Sequence, residues 1–275
     1  IMTSHIIASS IGIIARFRME WKRSKKKFLA HKSLTLLMDL HTFWTFLMCI
    51  STLVENSINF HTHLTMTSPA DIFVTASTCI FRRIPFLLAI FGEIYSQMAM
   101  AAERYRASNN LANYENSSRD IGHWLNAAHL AVVFLFGVIH MLFYGTDWIA
   151  AHCVILTPSG GAVHATLALF VFISELVTIV SFKRLLTRNC RVRDNCEAGL
   201  TLSERYQLVE NIRMLKLLLP IIWSHTSLGM YGTFLFLVFK LIFPAPEMYP
   251  LIEETINLLY LQGIFMPLII MFRFR

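Results

Sequence analysis

Charged residues are scarce in this chain. Only 15% of its 275 residues are Asp, Glu, Lys or Arg, and 55% are hydrophobic. A typical soluble domain carries about 25% charged residues. The mean hydropathy is +0.55. Because so much apolar surface cannot be buried in one water-soluble core, the composition excludes an ordinary soluble domain and predicts an integral membrane protein.

Sequence motifs of enzyme chemistry are also missing. The eleven histidines are scattered, and none falls into an H-E-x-x-H or comparable metal-binding spacing. The sequence has no glycine-rich phosphate loop and suggests no Ser-His-Asp set. We therefore expect that the protein is not an enzyme and has no catalytic residue, no metal site and no cofactor.

Long apolar runs are what the sequence has in abundance. A helix that crosses about 30 Å of hydrocarbon needs about 20 mostly apolar residues. Seven such runs predict an all-α, seven-transmembrane helix bundle with rhodopsin-like topology, which we treat as a single domain over residues 1–275. The first run is short because the chain opens inside it, and we expect it to be the cytosolic half of helix 1, with an uncleaved interfacial segment as the alternative. The predicted spans are 1–14, 33–54, 77–102, 124–144, 162–182, 214–242 and 252–272.

Lysine and arginine are distributed unequally between the loops. Eight of the 24 lie from Arg16 to Lys32, between the first two spans, and eight more lie between 183 and 216. Short loops rich in Lys and Arg stay in the cytosol, so we expect the amino terminus outside and the carboxyl terminus inside. The net charge of +7 then reflects membrane topology and attraction to anionic inner-leaflet lipid rather than nucleic-acid binding.

Two of the five cysteines fall on the predicted outer side. Cys79 lies at the start of the third span, and Cys153 lies in the loop after the fourth. Both would face an oxidising compartment, which favours a disulfide between them. Two unpaired thiols are the alternative, because sequence alone does not establish a bond.

The third span connects this cysteine to a charged triplet. Cys79 and Arg104 are 25 residues apart, or about 37 Å along one helix, so one reaches the outer surface when the other reaches the inner one. A seven-span bundle with a cysteine at the top of helix 3 and Glu103-Arg104-Tyr105 at its foot resembles the G-protein-coupled receptors. A buried arginine that exchanges partners there can act as a switch. An ordinary positive-inside anchor is the alternative.

Further motifs narrow the family. The segment LSERYQLVENIRMLKLLLPII (202–222) resembles the signature that leads into helix 6 of the nematode serpentine chemoreceptors of the alpha-like group. CIFRRIPF (79–86) is similar to that group's opening of helix 3. The resemblance covers nearly the whole chain and favours class alpha-b first and class epsilon second. The residues after helix 3 that are similar to the group's motif are Glu103, Arg104, Ala107, Tyr114 and Glu115.

The resemblance implies a chemosensory receptor in the plasma membrane of chemosensory neurons. Its implied partners are a small environmental molecule and a heterotrimeric G protein. The chain departs from the rhodopsin-like pattern in helix 7, where QGIFMPLIIMF keeps Pro267 but lacks N-P-x-x-Y. Helix 7 also lacks a lysine, which excludes the Schiff base that an opsin forms with retinal.

The Glu-Arg-Tyr triplet occurs twice, at 103–105 and at 204–206. Both copies lie where such a receptor meets its G protein. We hypothesise that Glu103 or Arg104 pairs with Glu204 or Arg205 in the resting state. A solvated amphipathic turn is the alternative for the second copy. The predicted coupling and switch residues are Glu103, Arg104, Tyr105, Glu204, Arg205, Tyr206, Glu210 and Arg213.

Three ionisable residues lie at a similar depth within the spans, namely Glu93, Glu175 and His225. Carboxylates are rare in hydrocarbon and usually face the bundle interior with a partner. We expect His225 to pair with Glu175 or Glu93, forming the floor of a ligand pocket or a relay. A structural hydrogen bond far from any ligand is the alternative. The residues predicted to line the pocket are Arg83, Phe86, Ile90, Glu93, Glu175, Trp223 and His225.

A membrane transporter or channel is the competing function, because intramembrane Glu and His also serve proton relays. Transporters usually show two related halves or paired broken helices. No half-repeat is visible in this sequence. The receptor is therefore the favoured interpretation.

Overall fold

Seven α-helices make up most of what the computed structural model describes. It describes residues 2–25, 31–68, 73–111, 114, 120–143, 149–150, 153, 161–195, 199–242 and 258–273. The all-α, seven-helix fold class is confirmed. The α-helices within the described ranges are α1 (Met2–Lys25), α2 (Lys32–Thr65), α3 (Ala76–Asn109), α4 (Asp120–Phe143), α5 (Gly161–Asn195), α6 (Leu202–Ile242) and α7 (Gln262–Arg273).

Four helices in the described part of the chain are long and apolar enough to cross a membrane, judged by length and composition. They are Lys32–Thr65, Ala76–Asn109, Ile121–Phe143 and Ala165–Asn195. A single 3₁₀ turn, Leu259–Leu261, leads into α7. Of the predicted spans, residue 1, residue 144 and residues 252–257 lie outside the described residues.

The helix ends form two groups. α1, α3, α5 and α7 end on the side where α2, α4 and α6 begin. We call this side, which carries Arg104, the basic end. The opposite side, which carries Cys79 and Cys153, is the disulfide end. Two short strands lie there, β1 (Val74–Thr75) and β2 (Ile149–Ala150), and they pair antiparallel.

Several helices continue past the predicted spans at the basic end. α3 runs to Asn109, α5 runs to Asn195, and α6 begins at Leu202 rather than at 214. These extensions hold good helix formers such as Leu, Lys and Arg, and they contain no proline. Leaving the hydrocarbon therefore does not end the helix. The extended helices bring polar side chains from three elements together at the basic end.

α1 differs most from its prediction. The apolar run 1–14 was expected to stop before a polybasic loop, but the helix continues to Lys25. Arg16 consequently lies inside the bundle, with 2% of its surface exposed. Its Nη2 lies 3.1 Å from the Met266 sulfur of α7. The first part of the polybasic segment is therefore helical and packed against a neighbouring helix.

The core is divided into clusters that follow the helix contacts. At the basic end, Leu37 of α2, Met100 of α3, Phe182 of α5 and Leu215 of α6 belong to one buried cluster. A second cluster joins α2, α3 and α4 around Trp44. Lipid tails are as apolar as these side chains, so helix association in a membrane depends on close packing and interhelical hydrogen bonds.

A close helix contact lies at Gly92 of α3. A Cβ built on Gly92 would lie 2.1 Å from Cδ2 of the Trp44 ring on α2. The carbonyl oxygen of Gly92 also lies 3.2 Å from His129 Nε2 on α4. Only glycine leaves room for the Trp44 ring at this position, where α2, α3 and α4 meet.

We expect Gly92→Ala to destabilise the bundle by about 1–3 kcal/mol, because the added methyl group overlaps the Trp44 ring and forces α2 from α3. The thermal unfolding midpoint in detergent micelles should fall by about 2 °C or more. Gly199→Ala is the matched control, since a Cβ at Gly199 would meet no atom within 4 Å. Equal midpoints for the two variants would contradict the close contact.

Candidate functional site

A buried ion pair lies at the basic end of α3. Arg104 Nε donates to Glu103 Oε2 at 2.6 Å, and Arg104 Nη2 donates to Glu103 Oε1 at 2.9 Å. Each side chain is only 2% exposed. Two parallel N–H···O bonds are the strongest arrangement that a guanidinium and a carboxylate adopt. Adjacent residues on one helix thus neutralise each other's charge inside the protein.

Two residues from other segments complete the environment of Arg104. Its Nη2 donates to the Tyr114 hydroxyl at 2.7 Å, and Tyr114 donates its own proton to Glu103. Its Nη1 donates to Asn211 Oδ1 of α6 at 3.2 Å. Burial raises the pKa of Tyr114, and Glu103 adds to this rise while Arg104 opposes it. Tyr114 is therefore a neutral phenol that can donate to the carboxylate.

Ser108 extends this network to a third helix. Asn211 Nδ2 of α6 and Asn189 Nδ2 of α5 donate to its hydroxyl oxygen at 2.8 Å and 2.9 Å. The hydroxyl in turn donates to the Arg104 carbonyl at 2.9 Å. The hydroxyl oxygen thus accepts two bonds and donates one. We call Glu103, Arg104, Ser108, Tyr114, Asn189 and Asn211 the arginine network.

A second buried polar cluster lies midway along the helices. His225 of α6 has Nε2 3.1 Å from Glu93 Oε2 of α3 and Nδ1 3.0 Å from Glu175 Oε1 of α5. The contact with Glu93 has hydrogen-bond geometry, whereas the contact with Glu175 is a close approach without that geometry. The imidazole of His225 thus lies between the carboxyl groups of Glu93 and Glu175.

Neighbouring side chains extend this carboxylate–histidine cluster toward α2. His41 Nδ1 lies 2.8 Å from the Ser96 hydroxyl, which donates to the Glu93 carbonyl at 2.8 Å. On α6, Gly229 makes room for Glu175, because a Cβ there would lie 2.8 Å from Glu175 Oε1. The cluster therefore joins α3, α5 and α6 at mid-depth, and α2 lies beside it.

At the disulfide end, a disulfide joins Cys79 of α3 to Cys153. The Cα atoms are 5.0 Å apart. Arg83, one turn further along α3, donates from Nε to the Cys153 carbonyl at 3.1 Å. Glu55 of α2 lies 4.0 Å from the same guanidinium. Cys153 is thus held to α3 by a covalent bond and by an arginine.

Comparison with known proteins now adds to this geometry. The family model described as serpentine type 7TM GPCR receptor class ab chemoreceptor matches residues 1–275. The chain belongs to this family. It is also 31% identical over 190 residues to the serpentine receptor class alpha/beta-14 of Caenorhabditis elegans. That match covers 67% of this chain and 49% of the relative, so the chain spans about half the length of the curated relative.

Class ab is the first of the two classes that the sequence motifs favour. The family is one of multi-pass membrane receptors and not of enzymes.

In this class ab chain, the second Glu-Arg-Tyr copy has a structural role at the start of α6. Glu204 accepts from the Thr201 N–H and from its hydroxyl, each at 2.8 Å, while Glu204 N–H donates back to that hydroxyl at 3.3 Å. This reciprocal pairing is a capping box.

The capping box explains why the two triplets do not pair with each other. Hydrogen bonds from Thr201 lower the pKa of Glu204 and keep its carboxylate at the helix start. Arg205 donates to the Leu200 carbonyl at 3.1 Å. Arg104 bonds to Asn211 on α6, two turns away from Glu204. Within the described residues, the structure therefore does not contain the hypothesised pairing of Glu103 or Arg104 with Glu204 or Arg205. Arg104 instead contacts α6 through Asn211.

The remaining predicted coupling residues lie on the surface. Tyr105 and Tyr206 are each 56% exposed. Arg205 and Arg213 are exposed as well, and Glu210 is half-buried. The class ab chain therefore buries the acid and base of the first triplet and exposes both tyrosines.

One predicted pocket residue lies away from the others. Trp223 is 51% exposed on the outer side of α6. It is two residues from His225, or about 200° around a helix, so the two side chains point in opposite directions. By contrast, Phe86, Glu93 and Glu175 are buried. Trp223 is therefore removed from the candidate pocket.

The sequence interpretation missed three residues of the arginine network, namely Ser108, Asn189 and Asn211. All three are buried. Asparagine is a poor helix former, and two asparagines within long helices were the available signal. The interpretation weighed charged residues and passed over neutral amides.

Near the arginine network, His31 is predicted to make stability depend on pH. Its ring lies against the Tyr114 ring, with 4.4 Å between centroids and a tilt of 45°, and Nδ1 accepts from the Ser33 N–H at 3.4 Å. Burial lowers the pKa of His31 below its ordinary value of 6.5; Arg104 adds to this and Glu103 opposes it. As the pH falls, His31 is therefore protonated in the unfolded chain before it is protonated in the folded chain. The contribution of His31 to stability is consequently present above pH 6.5 and is lost as the pH falls below that value.

The measurement compares unfolding midpoints in detergent at about pH 5.5 and about pH 7.5. His31→Asn keeps a helix-capping side chain and removes the titrating ring, so it should reduce the fall in midpoint toward low pH. His61→Asn, at an exposed position of the same helix, should keep the original fall. An unchanged pH profile in His31→Asn would show that this ring does not contribute.

Proposed function

We propose that this chain is a chemosensory receptor that binds a small environmental molecule and activates a heterotrimeric G protein. Its place would be the plasma membrane of chemosensory neurons. Membership of the class ab family and the name of the Caenorhabditis elegans relative, a serpentine receptor, support this function. The polybasic segments at the basic end support an orientation in which this end faces the cytosol.

The arginine network carries the proposal. Arg104 is buried, and its partners come from α3, α6 and the Tyr114 segment. A buried guanidinium is stable only while its hydrogen-bonding partners remain in place. The contact with Asn211 therefore favours the arrangement in which α6 lies close to α3. We assign this arrangement to the resting state, in which Arg104 is hidden from a cytosolic partner.

Activation would separate α6 from α3 and open this end. The separation would remove Asn211 from Arg104 and from Ser108, while the Glu103 pair remains on α3. Arg104 would then lie at the mouth of a cavity beside the exposed Tyr105. A ligand can shift this equilibrium only through a different affinity for the two arrangements.

The carboxylate–histidine cluster lies where such a ligand could act. Glu93 and Arg104 are 11 residues apart on α3, or about 16 Å. His225 and Asn211 are 14 residues apart on α6, or about 21 Å. The same two helices are therefore joined at two depths. A ligand that alters the Glu93–His225 contact would change the packing that holds Asn211 near Arg104.

We expect Asn211→Ala to raise ligand-independent signalling, because it removes the α6 acceptor and keeps Arg104. A lost hydrogen bond to a charged group is worth about 1.5 kcal/mol, or roughly a tenfold shift of the resting equilibrium. Arg104→Ala should abolish the response. The measurement is G-protein-dependent signalling in a heterologous cell, normalised to surface expression, with Lys216→Gln and Arg106→Ala as controls on the same helices. Wild-type basal signalling from well-expressed Asn211→Ala would contradict the resting arrangement.

The same cells separate a receptor from a transporter. The carboxylate–histidine cluster is the feature that a proton-coupled transporter would share. For a receptor, signalling should depend on Arg104, and no solute flux should accompany the response. Flux that is independent of a G protein and insensitive to Arg104→Ala would favour a transporter.

The role of the mid-depth cluster is tested with compounds that activate the unmodified chain in a calcium-response screen. Glu175→Gln keeps the size of the side chain and removes its charge, so we expect a response weakened by about tenfold or more if the contact with His225 transmits binding. His225→Gln should act in the same direction. Phe234→Leu, at an exposed site on α6, is the control. An intact dose response in both cluster variants at normal surface expression would exclude the relay.

A further inference from the structure

A groove runs along the outer surface of the bundle between α3 and α5, close to the basic end. Its volume is about 490 Å³. Ala101 and Ala102 of α3 line its floor and Val177 of α5 lines its wall, so this part is apolar. Arg184 and Arg188 of α5 line the part nearest the basic end. The groove therefore changes from apolar to cationic along its length.

Arg184 and Arg188 belong to a longer row of cations. Lys183, Arg184, Arg188 and Arg191 also line an adjoining groove of about 550 Å³ on α5. Their spacing places them along one helical face, and all four side chains are exposed. The described residues provide no carboxylate that pairs with any of them. Arg193, on another face of the same helix, does have such a partner, Asp194 at 2.9 Å.

The position of these cations along α5 matches the level of a lipid headgroup. The apolar span predicted for α5 ends at 182, and Lys183 and Arg184 follow at once. Long cationic side chains at the end of a span extend toward the interface while their stems stay in the apolar layer. The hydroxyls of Ser181 and Tyr105 line the same groove. Hydrogen-bond donors are thus added beside the two guanidinium groups.

We propose that this groove binds an anionic phospholipid. Its phosphate would contact Arg184 and Arg188, since a guanidinium forms paired hydrogen bonds with phosphate oxygens. One acyl chain would follow the apolar part over Ala101 and Ala102. The small side chains of these alanines leave the depth that a chain needs. This site lies on α3 and α5 and includes no residue of the polybasic segment Arg16–Lys32, and it requires only that the bundle spans a membrane, not that the chain signals.

Native mass spectrometry of the purified full chain tests the site by titration with phosphatidylserine or phosphatidylcholine. Phosphatidylserine should bind more tightly. Arg184→Gln/Arg188→Gln should weaken its binding by about tenfold or more, given the contribution of each cation near a lipid surface. The control Arg18→Gln/Arg193→Gln removes the same charge from exposed positions at the same end. It should retain binding to within about twofold.

Ala102→Phe tests the apolar part of the site. The larger side chain fills the groove and keeps both arginines, so the variant should also bind phosphatidylserine more weakly. Unfolding midpoints of all variants establish that they are folded. Three results would overturn the proposal: equal losses in the two double variants, which indicate diffuse charge attraction; inorganic phosphate binding as tightly as the lipid; or lost G-protein activation with unchanged lipid binding, which indicates a protein-docking surface.

Discussion

A guanidinium enclosed by protein needs a partner for its charge and for its hydrogen bonds, and the basic end of this bundle depends on how Arg104 meets that need. Glu103 balances the charge and accepts from Nε and Nη2, Tyr114 accepts a second bond from Nη2, and Asn211 accepts from Nη1. Leaving such a charge uncompensated costs about 3–5 kcal/mol. The long helices past the apolar spans are therefore required, because without them these side chains could not meet.

α3 is connected to its neighbours by a disulfide and by buried polar contacts, which lie at three depths along the helix. Near the disulfide end, Cys79 and Arg83 hold Cys153. At mid-depth Glu93 meets His225, and at the basic end Arg104 meets Asn211. Apolar packing between helices has little directional preference in lipid, whereas buried polar pairs define which faces meet. A movement of α6 would accordingly change its contacts with α3.

Much of this arrangement was predictable from residue number alone. Depth along a helix increases by about 1.5 Å per residue, so the shared level of Glu93, Glu175 and His225 and the opposite ends of Cys79 and Arg104 could be counted. The direction in which a side chain points around the helix axis was harder to predict, and so were contacts with uncharged side chains. Trp223 was placed with His225 although the two face opposite ways, and Asn211 carries no charge to attract notice. The role of Glu204 depended on a local cap with Thr201, which a search for long-range pairs overlooks.

The length of α6 has a mechanical consequence. It is one helix of 41 residues, Leu202–Ile242, and its first residue lies 23 positions from His225, or about 35 Å. If the helix pivots at the mid-depth contact, a tilt of about 10° carries its tip at the basic end sideways by about 6 Å, given that lever arm. A sub-ångström rearrangement around one imidazole can thus be magnified mechanically into an opening wide enough to admit another protein's side chains.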